Sequence, residues 1–550
     1  MDLKNIFEKR NKKYENIDKD NLDFYNQRLE TKLTLRKQKF NEILSKKRLL
    51  TYNSIINNNN KKSKWKLLYN IKNMDFPKEL ANKYKFNFNN NDEEKILSLS
   101  LKFLKSDNKH DIKYSLILLQ IFINNHMNSD LTNYINLLFI YDLFNLIEKR
   151  SKDKQIIFNI LYIISNYSYV NTDDGLSVIL LSPKAYKKWE LCFNLQNYEI
   201  FEAMLNIFNN IVNGNQIAGC NLIRSSFFQK NIYNFFMSQT ILSQINNKDK
   251  KDIIYIIIEE GINLFCQLLL IPKDKLDILT KEEIFICKQK VINLVVCYSG
   301  CNSLEKHRKC IVTISSALEK EIRLFDELEK NDFIQNLLIN KKFFEDKEIR
   351  HFVNQIIGNY LAYKIKVNHN FLLDVIKFEI EYLNMNNNDN YRKEIFWTLS
   401  NLVKCEEEIY NEILNNENLI KTIISCYKNT IYYNEIEEIT YLFCILLHRA
   451  NIKQFIKVEE NHLMEIAINY AKNILHNKLD GLYLVFQLFE IYFSYGEIVK
   501  EKFDNKNMVI DKFNKLGGKE LLEKYQYHAN EKICQEINYI FKEFYNIKNK

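Results

Sequence analysis

The chain has 550 residues, 46% of them hydrophobic and 27% charged, with a net charge of +9 and only 3 prolines and 10 glycines. So few punctuators exclude a string of small linker-separated domains and a hairpin-rich β fold, and they predict one long helical body. The 11 cysteines are scattered behind a polar N-terminus, which reads as a reducing intracellular setting and excludes a disulfide scaffold.

The first element is an arm, Met1 to Leu50, with 14 basic against 8 acidic residues, so most of the net charge sits there. Between Asn26 and Leu50, in NQRLETKLTLRKQKFNEILSKKRLL, the apolar residues Leu29, Leu33, Phe40, Ile43 and Leu44 predict a helix that only a partner surface would order. Such a charge is steered onto acidic surfaces and weakens with salt. Charge alone would equally fit a solvated tail or a nucleic-acid arm. The run Leu35-Arg36-Lys37-Gln38-Lys39, with Arg28 before it and Lys46-Lys47-Arg48 after it, resembles the importin-β-binding domain of importin-α, the adaptor of nuclear import. The resemblance implies that Arg28, Leu35, Arg36, Lys37, Lys39, Lys46, Lys47 and Arg48 meet importin-β. It also implies that Lys46, Lys47 and Arg48 compete with cargo.

The next stretch, Thr51 to Phe76, contains NNNNKKSK and reads as a tether. As a flexible chain of about 25 residues it would span roughly 25 to 30 Å. Residues 77–545 read as a solenoid of about ten repeats, followed by the tail 546–550. Abundant asparagine, as in Asn57 to Asn60 and Asn89 to Asn91, reads as a compositional bias that marks loops. Glu93 to His126 reads as the first capping unit.

Repetition is clearest at RKEIFWTLSNLV, Arg392 to Val403, where Trp397 and Asn401 lie four apart on one helical face. This segment resembles the third helix of an armadillo repeat in importin-α, whose WxxxN positions line a groove. In chain order its echoes are Tyr162 and Asn166, Asn206 and Asn210, Glu259 and Asn263, Gln355 and Asn359, and Tyr441 and Ile445. Neighbouring echoes mostly fall about 42 to 44 residues apart, one armadillo unit, but Asn206 and Glu259 are further apart. Between Phe265 and Asp346 the register is open, with one unit expected to end near Ser299 and Gly300. The closing stretch LGGKELLEKYQYHANEKICQEINYIFKEFY, preceded by SYGE, resembles the last repeat of importin-α, so Asp504 to Tyr545 reads as the terminal cap.

The implied fold is all-α: an armadillo-repeat, right-handed superhelical solenoid with an N-terminal importin-β-binding helix. Its repeats cannot bury their apolar faces alone and share one continuous core. The implied function is nuclear import: the groove holds nuclear localisation signals, the arm holds importin-β, and the C-terminal repeats hold the export receptor, so the chain shuttles between cytoplasm and nucleus. Catalysis, cofactors and nucleic acid have no part in this reading. In such grooves indole slots take lysine or arginine stems and asparagine amides hold the peptide backbone. Here Tyr162, Asn206, Glu259, Gln355 and Tyr441 replace indole and Trp397 remains, each loss removing about 0.5 to 2 kcal/mol. A narrow cargo set read around Gln355, Asn359, Trp397 and Asn401 is then expected, with Glu259 still favouring a basic peptide. The alternative is an armadillo scaffold that has lost signal recognition.

Three other features have plainer readings. The apolar run IIYIIIEEGINLFCQLLLI contains Glu259, Glu260 and Gln267, which argues for a buried helix over a membrane span. Cys297, Cys301, His307 and Cys310 have zinc-ligand chemistry but no zinc-site spacing, and the apolar neighbours Val295 and Val296 suggest a core thiol at least for Cys297. Trp65 reads as a tether anchor and Trp189 as a packing residue.

Overall fold

The computed structural model describes residues 93–125, 135–170, 174–238, 253–271, 280–300, 303–339, 346–364, 366–385, 392–473, 479–500, 506–528 and 530–545, with no strand among them. The arm and tether, with Arg28, Leu35, Arg36, Lys37, Lys39, Lys46, Lys47, Arg48 and Trp65, lie outside the described residues, as does Cys301. The chain divides into two compact units, Met1–Asn124 and Asn125–Lys550. In the first, α1 (Glu93–Leu104) and α2 (Lys109–Asn125) are tied where Ser115 Oγ donates to the Ser100 carbonyl at 2.6 Å. One face of α2 buries Ile112, Leu116, Leu119 and Ile123, at the spacing an amphipathic helix requires.

The second unit begins with α3 (Leu137–Lys149) and α4 (Lys154–Val170), followed by α5 (Asp174–Leu180), α6 (Pro183–Phe193) and α7 (Tyr198–Gly214). Then come α8 (Gln216–Arg224), a π-helical turn at Phe228–Tyr233, and α9 (Ile253–Leu269). The middle comprises α10 (Lys281–Ser299), α11 (Leu304–Lys320), α12 (Phe325–Lys330), α13 (Phe333–Ile339), α14 (Lys347–Tyr363), α15 (His369–Met385) and α16 (Arg392–Leu402). Three regular triplets close the unit: α17 (Glu407–Asn415), α18 (Glu417–Asn429) and α19 (Tyr433–Arg449); α20 (Ile452–Glu459), α21 (Leu463–Asn473) and α22 (Leu479–Val499); α23 (Met508–Lys515), α24 (Gly518–Tyr525) and α25 (Glu531–Phe544).

One helix per repeat stacks against its counterpart in the next, in the order α4, α7, α9, α11, α14, α16, α19, α22 and α25. This ladder makes the unit an all-α solenoid. The open register is settled by α10 and α11. Helix α10 does end at Ser299 with Gly300 as its cap, but the repeat continues through α11, and it is α11 that joins the ladder. Helix α10 packs against both α9 and α11 and also reaches α8 and α12, but it is α11 that carries the stack on to α14. Which of two consecutive helices extends the stack depends on contacts between distant parts of the chain, which only packing shows. Just past the π-helical turn, Phe236 sits so close to Gly261 that a Cβ there would lie 2.2 Å from the ring.

Asparagine does more here than mark loops. Asn136, Asn197, Asn215, Asn416, Asn451, Asn507 and Asn530 are N-caps whose side chains accept from backbone N–H groups of the first turn. Each such cap contributes about 1 kcal/mol. Trp189 is fully buried, donates from Nε1 to the Leu180 carbonyl at 2.7 Å, and packs between Phe144 and Phe208. The apolar run read as a buried helix is α9, a member of the ladder. By length and composition alone, the described helix that could cross a membrane is α22, over Gly481–Val499, and it lies mostly inside the solenoid.

Two contacts fix the α14–α16 step. A Cβ on Gly358 would lie 2.3 Å from Trp397 Cζ3, so the two helices approach as closely as glycine allows. Beside it, Thr398 Oγ1 donates to Asn354 Oδ1 at 2.6 Å, and Asn354 Nδ2 donates to Glu379 Oε2 at 3.2 Å, linking α16, α14 and α15. Gly358→Ala is expected to lower the thermal midpoint by overpacking, about 1 to 3 kcal/mol of lost stability. Gly300→Ala, where a Cβ would meet nothing within 4 Å, should leave the midpoint unchanged in the same calorimetric scan.

Burial holds the Glu379 carboxyl well above its ordinary value of 4.5. A carboxyl whose folded-state pKa is raised contributes stability that is complete below the ordinary value and is lost as pH rises towards the folded-state pKa. The thermal midpoint of the native protein should therefore fall relative to Glu379→Gln as pH is raised from 4.5. A constant difference across that range would refute this assignment.

Candidate functional site

The ladder positions lie on consecutive stacked helices, and their exposure divides them into two groups. Tyr162 and Asn166 on α4, Asn206 and Asn210 on α7, Asn263 on α9, and Tyr441 and Ile445 on α19 are half-buried, while Glu259 is exposed. At the centre, Gln355, Asn359, Trp397 and Asn401 are only 5, 6, 6 and 4% exposed. The segment that matches the groove motif most fully is thus the one that presents the least side chain to solvent.

The amides at these positions are largely used inside the solenoid. Asn401 Nδ2 donates to the Gly358 carbonyl at 3.1 Å, joining α16 to α14 across 43 residues of chain. Asn210 Nδ2 donates to the Ser165 carbonyl and Ser168 Oγ, both at 3.1 Å, joining α7 to α4. Its neighbour Asn209, not anticipated from the sequence, reaches the other way and donates to the Glu260 carbonyl at 3.0 Å and Glu260 Oε2 at 3.1 Å on α9. Gln355 accepts from Ser315 Oγ at 3.1 Å on α11 and contacts His351 Nε2 at 3.1 Å. By contrast, Asn359 Nδ2 and Asn166 Nδ2 are buried without a hydrogen-bond partner. A buried ion pair continues the series: Arg392 Nε lies 3.0 Å from Glu435 Oε1, joining α16 to α19, and Thr430 Oγ1 donates to Glu435 Oε2 at 2.6 Å.

The half-open positions carry the chain's own cations. Lys306 on α11 sets its ammonium 3.3 Å from the Tyr255 ring centroid and 3.8 Å from Glu259 Oε2 on α9. One turn on, Lys309 Nζ donates to Asn263 Oδ1. Lys404, just past the end of α16, donates to Tyr441 Oη at 2.8 Å and lies 5.1 Å from that ring's centroid. Glu259 was expected to favour a basic peptide, but Lys306 already faces it.

No cluster of three or more histidine, cysteine or acidic residues converges at metal-binding distance among the described residues. Cys310 hydrogen-bonds with Cys266, and Cys297 Sγ lies 3.9 Å from Met237 Sδ, so these two thiols point to different partners.

No family model matches the sequence, and no curated protein matches it. Among solved structures the chain resembles an engineered protein from the Northeast Structural Genomics Consortium, with a TM-score of 0.55 at 10% identity over 81% of this chain and 97% of that one. A designed armadillo repeat protein matches with a TM-score of 0.34 at 12% identity, over 45% of this chain and 96% of its own. Another, in complex with the peptide (KR)4, matches with a TM-score of 0.31 at 14% identity, over 56% of this chain and 100% of its own. At 10% identity the likeness to the engineered protein is one of fold. The repeated short helices, each group closed by a ladder helix, make this an armadillo-like repeat solenoid.

The two buried asparagines of α14 and α16 should respond differently to removal. Asn401→Leu leaves the α14–α16 bond unmade and the Gly358 carbonyl buried without that donor, a loss of about 1 to 3 kcal/mol by thermal or urea unfolding. Asn359→Leu removes a donor that has no partner, so stability should hold or rise.

Proposed function

We propose that the chain is a non-enzymatic, peptide-binding solenoid that serves as a nuclear transport adaptor of the importin-α kind. The observation that carries this is the ladder itself: nine described helices stacked in order, with polar and aromatic residues recurring at one register from Tyr162 to Tyr441. Ladder helices spaced about 8 to 10 Å apart match about three residues of an extended segment at about 3.3 Å each. Such a surface suits an unfolded stretch of a partner better than a globular face. The proposed carrier-binding residues are Arg28, Leu35, Arg36, Lys37, Lys39, Lys46, Lys47 and Arg48, meeting importin-β. The C-terminal repeats would meet the export receptor, and the chain would shuttle between cytoplasm and nucleus.

One observation favours a second reading, an armadillo scaffold without signal recognition. Trp397 is nearly buried against Gly358, so the only indole at a ladder position offers no open slot to a lysine stem. The two readings differ at the arm. In the adaptor, the full chain captures importin-β, and Arg36→Ala, Lys37→Ala and Lys39→Ala together abolish capture by biolayer interferometry. Absence of capture by the unaltered chain would remove the adaptor reading and leave the scaffold.

A further inference from the structure

We propose that the crevice between α12–α13 and α14–α15 binds a primary alkylammonium group, the chemistry shared by a free alkylamine and a lysine side chain. None of the ladder positions lines it, so it stands apart from the peptide-groove reading above. Its volume is about 140 Å³, the share of about five waters and about half of what the smallest drug-sized sites offer. A ligand of about five heavy atoms fits such a space, and a nucleotide or other large cofactor does not. The inner wall is apolar and aromatic. Ile334 on α13, Tyr360 on α14 and Phe371 on α15 are buried there, and the Tyr360 and Phe371 rings meet edge to face with centroids 5.8 Å apart. Val367, in the connection from α14 to α15, is half-buried and completes that wall.

The open side is polar and acidic. Glu329, half-buried at the end of α12, and Asp332, exposed between α12 and α13, both line it. The Glu329 carboxylate accepts from Tyr360 Oη at 2.6 Å and lies 2.7 Å from Lys364 Nζ, which also reaches Asp326 at 2.9 Å. Three carboxylates, Asp326, Glu329 and Asp332, are thus set around one ammonium. Lys330 pairs with Glu327 and His369 with Glu406, while Lys366 is exposed and does not line the cavity. Burial first, and then the bond to Glu329, hold the Tyr360 hydroxyl above its ordinary value of 10.0, in keeping with a negative local field. Asp332 makes no ion pair or side-chain hydrogen bond among the described residues, so its charge is left for a ligand. A ligand that satisfies both sides joins a short apolar stem, laid on Ile334, Val367 and Phe371, to a cationic head at Glu329 and Asp332. A carboxylate on the same stem would place like charge at that rim.

The test uses the full chain and n-butylammonium chloride, read by saturation-transfer NMR at low ionic strength. Saturable transfer to the butyl protons is expected, with none to sodium butyrate at the same concentration. Asp332→Asn removes the rim charge, and asparagine tolerates the left-handed φ of 50° that Asp332 adopts, so folding is not at stake. This variant should weaken binding by about threefold or more. Val367→Phe, which fills the cavity, should abolish transfer while circular dichroism shows the helical content of the native chain. The two sources of the ammonium are separated with N-acetyl-lysine methylamide as competitor. Displacement of butylammonium assigns the site to a lysine side chain, and saturable butylammonium binding without displacement assigns it to a free alkylamine. No saturable transfer, equal binding of butyrate, or native affinity in either variant would each overturn the proposal. The adaptor reading is decided separately by importin-β capture, which does not involve this crevice.

Discussion

The second unit depends on close, register-specific contact between successive ladder helices. Apolar burial supplies most of the attraction, but it is tolerant of sliding, and it does not by itself hold one helix at a fixed height against the next. Register comes from discrete bonds: Asn210 to Ser165, Asn209 to Glu260, Ser315 to Gln355, Asn401 to Gly358, and Arg392 to Glu435. Because these groups are buried, a slip by one turn would leave several of them unpaired at once. Trp397 over Gly358 adds a steric lock at the step where the hydrogen bonds are densest.

The same arrangement constrains recognition. A side chain that staples two helices together is not at the same time presented to a ligand. At the best-formed steps Gln355, Asn359, Asn401 and the Arg392–Glu435 pair face inward, while Tyr162, Asn166, Asn206, Asn263 and Tyr441 are more open. Lysines of neighbouring helices reach Tyr255, Glu259 and Asn263 on α9 and Tyr441 on α19.

Irregularity is confined to particular repeats. The π-helical turn at Phe228–Tyr233 lies in the repeat before α9, and Phe236 just beyond it packs on Gly261, Phe265 and Tyr298. Phe201, Phe235 and Phe236 meet there edge-on or tilted, the geometry that aromatic pairs favour. At the closing repeat, Gly517 adopts a left-handed conformation, φ 78°, that lets α24 follow α23 directly.

The sequence by itself determined the all-α class, the repeat period and the placement of the ladder residues on one helix of each repeat, because helical periodicity and a 42-residue echo are local properties of the chain. It also located Trp189 in the core. Tertiary structure alone decided which of two consecutive helices, α10 or α11, carries the stack on, since the contact with α14 that decides it joins distant parts of the chain. It decided that Asn401 and Asn210 bond to neighbouring helices, that Asn136 and six other asparagines cap helix N-termini, and that Lys306, Lys309 and Lys404 meet residues 37 to 51 positions away in sequence. A hydrogen-bonding side chain reads the same in sequence whether it faces solvent, a ligand or the next helix. Which of these it meets is set by packing between repeats, where distant parts of the chain come together.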